Sequence, residues 1–179
     1  MKITKEWLKE KGACVEGVEW FIAQPDLSAC NAQAEADAEI IVEKLLKEKE
    51  YEWINWLIVR LMSHKQQVEY AIFAAEQVIK IYESKYPEDK RPQAAIFAAK
   101  EYLENPTVKT ADAAADAAKA AANAAAYAAA DAAVNAAVNA ACAADAAYAA
   151  AYAAYAANAA ADAAADKDKM YRKIFDYGL

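Results

Sequence analysis

The sequence is short of the residues that end helices and form tight turns. It holds 3 glycines and 4 prolines in 179 residues, and no stretch alternates apolar and polar residues as a half-buried strand does. These shortages argue against a β-rich fold and against a glycine-rich loop for binding phosphate. We therefore predict an all-α chain. We expect a single-domain helical bundle over 1–179, aromatic-rich in 1–105, with alanine-rich helices and a C-terminal helix in 106–179.

Residues that commonly carry chemistry are also scarce. His64 is the single histidine, so the paired Glu-x-x-His motifs of a di-metal bundle are excluded and no HExxH motif is present. Cys14, Cys30 and Cys142 are odd in number and lack the spacing of a zinc site. We interpret them as reduced thiols buried as small apolar groups. The sequence thus predicts a protein that is not an enzyme and has no metal site and no cofactor.

Long apolar runs are missing as well. The longest stretch without a charge lies between Asp145 and Asp162, and it consists of 16 residues, mostly alanine, with Asn158 among them. That is too short and too weakly apolar to cross a membrane. The N-terminus lacks the apolar core of a signal peptide. A formal net charge of −7 argues against binding to nucleic-acid phosphates. We predict a cytoplasmic protein that binds neither membrane nor nucleic acid.

Residues 1–105 show helical periodicity. Apolar residues recur at three- and four-residue intervals between Gly, Pro and capping residues. A helix capped by Asp26 or Ser28 is expected to run to about Lys49, and Thr107 or Thr110 is expected to cap the alanine-rich part. The other predicted helices are Lys5–Lys11, Ala13–Ala23, 51–62, Gln67–Lys85 and one that starts at Pro92 and ends before Asn105.

The alanine-rich tract, Ala111–Asp166, places its larger residues three or four positions apart. Their mean spacing is about 3.6 residues, the period of a straight α-helix, so they stay on one face. We call this line of larger residues the stripe. Alanine side chains elsewhere on the helix allow close packing against other helices. We therefore expect alanine to face inward and the stripe to face solvent or a partner.

The length of this tract requires a bend. One unbroken helix would reach about 84 Å, whereas a compact domain of this size has a radius of gyration of about 16 Å. Asn tolerates left-handed backbone angles, and the stripe doubles near Asn135 and Asn139. We predict a bend there and hence a long alanine-rich helical hairpin on the C-terminal side.

Three interpretations of the stripe are open: the solvated edge of a structural helix, a partner-binding surface, or an ice-binding face. The last lacks a regular Thr array. Tyrosine is enriched at protein interfaces, which favours a partner surface. The candidate partner-binding residues are Tyr127, Asp131, Asp145, Tyr148, Tyr152 and Tyr155.

A second candidate site is a pocket for an anionic or nucleotide-like ligand. Arginine beside aromatic rings can hold such a ligand. The candidate residues are Trp53, Trp56, Arg60, Tyr70 and Glu76. The alternative is a Trp-rich core in which Arg60 reaches to the surface or pairs with a carboxylate.

Three segments, Leu8–Phe21, Trp53–Met62 and Tyr70–Pro92, followed by an alanine tract, resemble the alanine-rich "putative immunity protein" family of bacterial polymorphic-toxin loci and phages. The resemblance covers most of the chain and is sharpest at KYPEDKRP, residues 85–92. The family pattern then continues with Arg and an AIEAA helix. Gln93 and Phe97 stand at those places here, so a charge is lost at each and Phe97 is expected to expose a large ring.

The resemblance implies a cytoplasmic helical protein, in a bacterial host or a phage-infected cell, that binds and neutralises a toxin by protein contact. Two further hypotheses stay open. One is a phage counter-defence protein that binds a host defence protein or sequesters a nucleotide signal. The other is a structural, self-assembling helical protein, a homo-oligomer whose alanine faces pack between chains.

Overall fold

The computed structural model describes residues 2–24, 35–116, 139, 142, 155–156, 159–160, 162 and 166–178. Helices dominate these residues, which confirms the all-α class. The chain divides into two compact units, Met1–Leu57 and Ile58–Leu179. Organisation as one domain with an internal change at 105–106 stays a prediction. The predicted bend begins outside the described residues, although Asn139 itself is helical.

The first unit contains the antiparallel strands β1 (Lys2–Thr4) and β2 (Glu35–Asp37), with Ile3 opposite Ala36. Both of those side chains are buried, and Lys2 forms ion pairs with Glu35 and Asp37 across the ribbon at 3.9 and 3.3 Å. The helix predicted to run through 35–37 is therefore wrong there. Three residues are too few to show alternation, and the pairing joins segments far apart in sequence.

The helices of the first unit follow the local signals. They are α1 (Lys5–Glu10), α2 (Val15–Ala23), α3 (Ala38–Glu48) and α4 (Tyr51–Leu61), whose last turn belongs to the second unit. Thr4 caps α1 by accepting from the Trp7 N–H at 3.1 Å. Gly12 follows α1 with φ +75°, a left-handed conformation that favours glycine. The predicted caps Asp26 and Ser28 lie outside the described residues.

In the second unit, α5 (His64–Lys85) and α6 (Arg91–Glu104) pack against each other. Ser63 and Gln66 form a capping box at the start of α5, and Pro92 occupies the first turn of α6 as predicted. The next helical stretch begins at 108, where Thr107 and Thr110 exchange backbone-to-hydroxyl hydrogen bonds of 3.0 and 3.2 Å. The final helix is α7 (Lys167–Gly178).

The core of the second unit combines large rings with alanine. The segment AIFAA occurs in both α5 and α6, and its alanine and isoleucine side chains are largely buried in both. Helix α7 packs on α5, with its Tyr171, Ile174 and Phe175 buried. Within the described part of the chain, no helix is long and apolar enough to cross a membrane.

The cysteines depart from expectation. Cys14 is exposed and caps α2, because its Sγ accepts the Gly17 N–H at 3.3 Å. Cys142 is half-buried. The interpretation of Cys14 as a buried apolar group is therefore wrong, and Cys30 lies outside the described residues. The free N–H groups of a helix start give a polar thiol a use that burial would not.

Candidate functional site

Tyr155 is the member of the predicted partner surface that the structure describes. Its side chain is 56% exposed, whereas Ala156 and Ala160 are fully buried. All three residues are helical. The remaining candidates, Tyr127, Asp131, Asp145, Tyr148 and Tyr152, lie outside the described residues. At this point of the tract, the aromatic side chain faces outward and methyl groups face the protein.

The aspartates of the stripe that the structure describes also face outward. Asp112, Asp116 and Asp162 are exposed, while Ala114 is fully buried. Asn139 and Cys142 of the stripe are half-buried. Some alanines near the start of the tract are exposed too, so the outward face there is wider than one line. A short alanine side chain lets neighbouring helices approach closely, which accounts for the inward alanines.

Arg60, from the predicted ligand pocket, lies near Tyr155. Burial lowers the pKa of the Arg60 guanidinium from its ordinary value, and the Tyr155 oxygen raises it. Arg60 is half-buried at the end of α4. Tyr155 of the predicted partner surface and Arg60 of the predicted ligand pocket thus interact electrostatically. Tyrosine and arginine are the types that most often dominate binding energy at protein interfaces.

The tryptophans of the predicted ligand pocket contact other tryptophans in the first unit. The ring of Trp53 meets that of Trp20 edge-on at 6.1 Å, and Trp56 meets Trp7 in the same way at 6.3 Å. Trp20 also donates to Glu48 Oε2 at 2.7 Å. Such edge-to-face pairs are common in protein cores. The contacts are those expected of the alternative, a Trp-rich core.

Tyr70 and Glu76, also assigned to that pocket, have opposite environments on α5. Tyr70 is fully buried, and burial raises the pKa of its hydroxyl. Glu76 is exposed and forms an ion pair with Lys100 of α6. The structure does not bring these two side chains to a common surface. A ligand pocket at these residues stays a prediction.

The junction between α5 and α6 holds a charged network that the residue pattern did not reveal. The Tyr82 hydroxyl donates to Asp89 Oδ2 at 2.9 Å. The Arg91 side chain donates to both Asp89 oxygens, at 2.9 and 2.6 Å, and these hydrogen bonds hold the pKa of that carboxyl well below its ordinary range. A shallow cavity of about 600 Å³ beside it is lined by Glu88, Asp89, Lys90, Arg91 and Ala94. The network ties the end of α5 to the start of α6, because Tyr82 lies on α5 and Arg91 is the first residue of α6.

A family model described as "Imm-5 like putative immunity protein" matches residues 57–176, well over half of the chain. The chain belongs to this family. The match begins at the boundary of the second compact unit, Ile58–Leu179, so the family region and that unit coincide. The first unit, with its strands and tryptophan pairs, lies outside the match. No curated protein and no solved structure matches the chain.

Within this immunity-protein family member, Gln93 and Phe97 both lie on the exposed side of α6. Phe97 is 62% exposed, as the sequence predicts. The equivalent residue of the first AIFAA segment, Phe73, is instead stacked on Tyr177 of α7, with ring centroids 4.0 Å apart. Phe97 is thus the uncovered one of two equivalent rings.

Proposed function

We propose that this member of the immunity-protein family is a non-enzymatic binding protein that neutralises a toxin by direct contact. The contact surface is the stripe, with Tyr127, Asp131, Asp145, Tyr148, Tyr152 and Tyr155 as its binding residues. Family membership supports an immunity-type role. The outward position of Tyr155, with Ala156 and Ala160 buried on the other side of the helix, is the observation that carries the choice of surface.

An exposed tyrosine ring leaves apolar surface in contact with water. A ring that is 56% exposed gains by being covered, and its hydroxyl can keep a hydrogen bond at an interface. Ala156 and Ala160 are fully buried, so the ring lies on the side of the helix that is turned away from the protein. Aspartates along the same stripe add negative charge, which favours a partner with a basic patch.

The direct test uses the neighbouring gene: where it encodes a toxin, binding of that toxin to this chain is measured by calorimetry and by rescue of growth on co-expression. Tyr155→Ala extends the alanine helix with its best former, so the fold is kept. We expect a loss of about tenfold or more in affinity, the loss typical of truncating an interface anchor. Charge reversal by Asp131→Lys and Asp145→Lys together is expected to weaken binding further.

The matched control is Asp176→Lys, an exposed charge reversal on α7 that lies outside the stripe. It is expected to leave the affinity unchanged. If the stripe variants bind the toxin as tightly as the unaltered chain does, the stripe is not the contact surface. If the unaltered chain neither binds nor neutralises the toxin, the proposed function itself is wrong.

A further inference from the structure

Phe97 has the most exposed aromatic side chain in the described part of the chain. It lies near the middle of α6, a 14-residue helix whose opposite side is buried, in part against α5. Among the described residues no aromatic ring stacks on it, whereas Phe73 is covered by Tyr177. An exposed ring on a rigid helix indicates an interaction surface when its surroundings are complementary to a definite partner.

The charges on either side of Phe97 have opposite signs. Lys90 lies two helical turns before Phe97 and Glu104 lies two turns after it, and both are exposed. Neither has an ion-pair partner among the described residues. Helix α6 has no acidic residue in its first turn and no basic residue in its last turn. The helix dipole disfavours a lysine at the start of a helix and a glutamate at its end.

We propose that this outer face of α6 binds the same face of a second copy of the chain, antiparallel, around a two-fold axis at Phe97. A face that is basic at one end and acidic at the other becomes complementary to itself when it is turned round. The two Phe97 rings then cover each other, and Lys90 of each copy lies beside Glu104 of the other. The same pairing brings Gln93 near Glu101 of the other copy.

Exposed apolar side chains beyond both ends of α6 fit this arrangement. Tyr86, just before α6, is 38% exposed, and Val108, just after it, is 80% exposed. Antiparallel pairing brings the start of one α6 to the end of the other, so Tyr86 of one copy and Val108 of the other share an end of the contact.

The small size of the α6 face limits the affinity expected for the dimer. A helix of this length spans about 20 Å, and a contact between two such helices is smaller than a standard stable interface. We therefore expect a reversible dimer with a dissociation constant of roughly tens to hundreds of micromolar. Because four charges carry part of the contact, its affinity falls as the salt concentration rises.

Sedimentation equilibrium of the full chain tests the proposal. The unaltered chain is expected to dimerise with rising concentration, and Phe97→Glu to be monomeric because it places two carboxylates on the axis. Lys90→Glu alone and Glu104→Lys alone are each expected to weaken the dimer at least about tenfold, since each repulsion occurs twice in a symmetric contact. An equal mixture of those two variants is expected to dimerise again, because both pairs then have opposite signs.

Lys173→Glu, an exposed charge reversal on α7, is the matched control and is expected to leave dimerisation unchanged. Helical circular dichroism confirms that each variant is folded. The proposal is overturned if the unaltered chain stays monomeric at about millimolar concentration, if Phe97→Glu leaves a dimer intact, or if mixing the two charge variants restores nothing. The proposal does not depend on toxin neutralisation, because toxin binding by the stripe has a separate readout.

Discussion

Replacement of Gly178 by alanine tests how tightly the end of α7 packs against Ile58, Met62 and Tyr70 within the second unit. A Cβ atom added at Gly178 would lie 2.7 Å from Tyr70 Cε2, 2.9 Å from Ile58 Cγ2 and 3.2 Å from Met62 Cε. Contacts under 3.0 Å do not occur between relaxed carbon atoms, so one group has to move. Tyr70 and Ile58 are buried, at 0% and 1% exposure, and have little room to do so.

The magnitude follows from two opposing terms. Overpacking of this kind costs about 1–3 kcal/mol, and replacing glycine by alanine in a helix returns up to about 1 kcal/mol. We expect Gly178→Ala to lower the free energy of unfolding by about 1–2 kcal/mol. The strain can be relieved by release of the last turn of α7, and this release would separate Tyr177 from Phe73.

Urea denaturation measures the loss, and near-ultraviolet circular dichroism reports the Phe73–Tyr177 stack. Gly17→Ala is the matched control, because its Cβ would meet only the flexible Cys14 Sγ, at 3.3 Å. That variant is expected to be neutral or to gain up to about 1 kcal/mol. If the Gly178→Ala protein is as stable as the unaltered chain and keeps its near-ultraviolet signal, the end of α7 does not pack closely against Tyr70 and Ile58.

Three further predictions concern single polar groups. Asp89→Asn removes the charge that Arg91 holds at 2.6–2.9 Å and is expected to cost about 1–2 kcal/mol at neutral pH. Because the pKa of the Asp89 carboxyl is lowered in the folded protein, the unaltered chain loses this stabilisation as the pH falls below about 4. The difference in free energy of unfolding between Asp89→Asn and the unaltered chain should therefore shrink in urea titrations at low pH. Burial, with the hydrogen bond to Asp89, raises the pKa of Tyr82 to about 12, so its contribution to stability is complete below about pH 10 and is lost towards pH 12. Absorbance at alkaline pH should show that Tyr82→Phe removes one late-ionising tyrosine. Trp20→Phe loses the exposed hydrogen bond to Glu48 and part of the edge-on contact with Trp53, and it should cost about 1–2 kcal/mol by urea denaturation. A loss well above that range would contradict this assignment.

Much of the secondary structure was predictable because its signals are local. Gly12 follows the end of α1, Pro92 lies in the first turn of α6, and Thr107 caps the helical stretch that follows, as the sequence predicts. A cap and the backbone groups that it satisfies lie within about four residues of each other. The exposed position of Tyr155 was predictable for a similar reason, since the stripe follows the helical period.

The two strands and the Asp89 network were not predictable in this way. Ile3 pairs with Ala36, which is far from it in the sequence. Neither three-residue segment contains a signal that predicts its pairing with the other. Asp89 accepts hydrogen bonds from the Tyr82 hydroxyl, seven residues earlier, and from both the side chain and the backbone N–H of Arg91. The partners of a polar group depend on which side chains the turn brings within reach.

The two AIFAA segments separate what the sequence determines from what tertiary structure decides. Identical residues give identical local structure, so both segments are helical and both bury their alanine and isoleucine side chains. Their phenylalanines nevertheless have different surroundings. Phe73 lies under Tyr177 because α7 docks on α5, while Phe97 on α6 stays exposed. Backbone hydrogen bonds within a helix are set by neighbours in sequence, but the covering of a side chain is set by whichever distant element packs beside it.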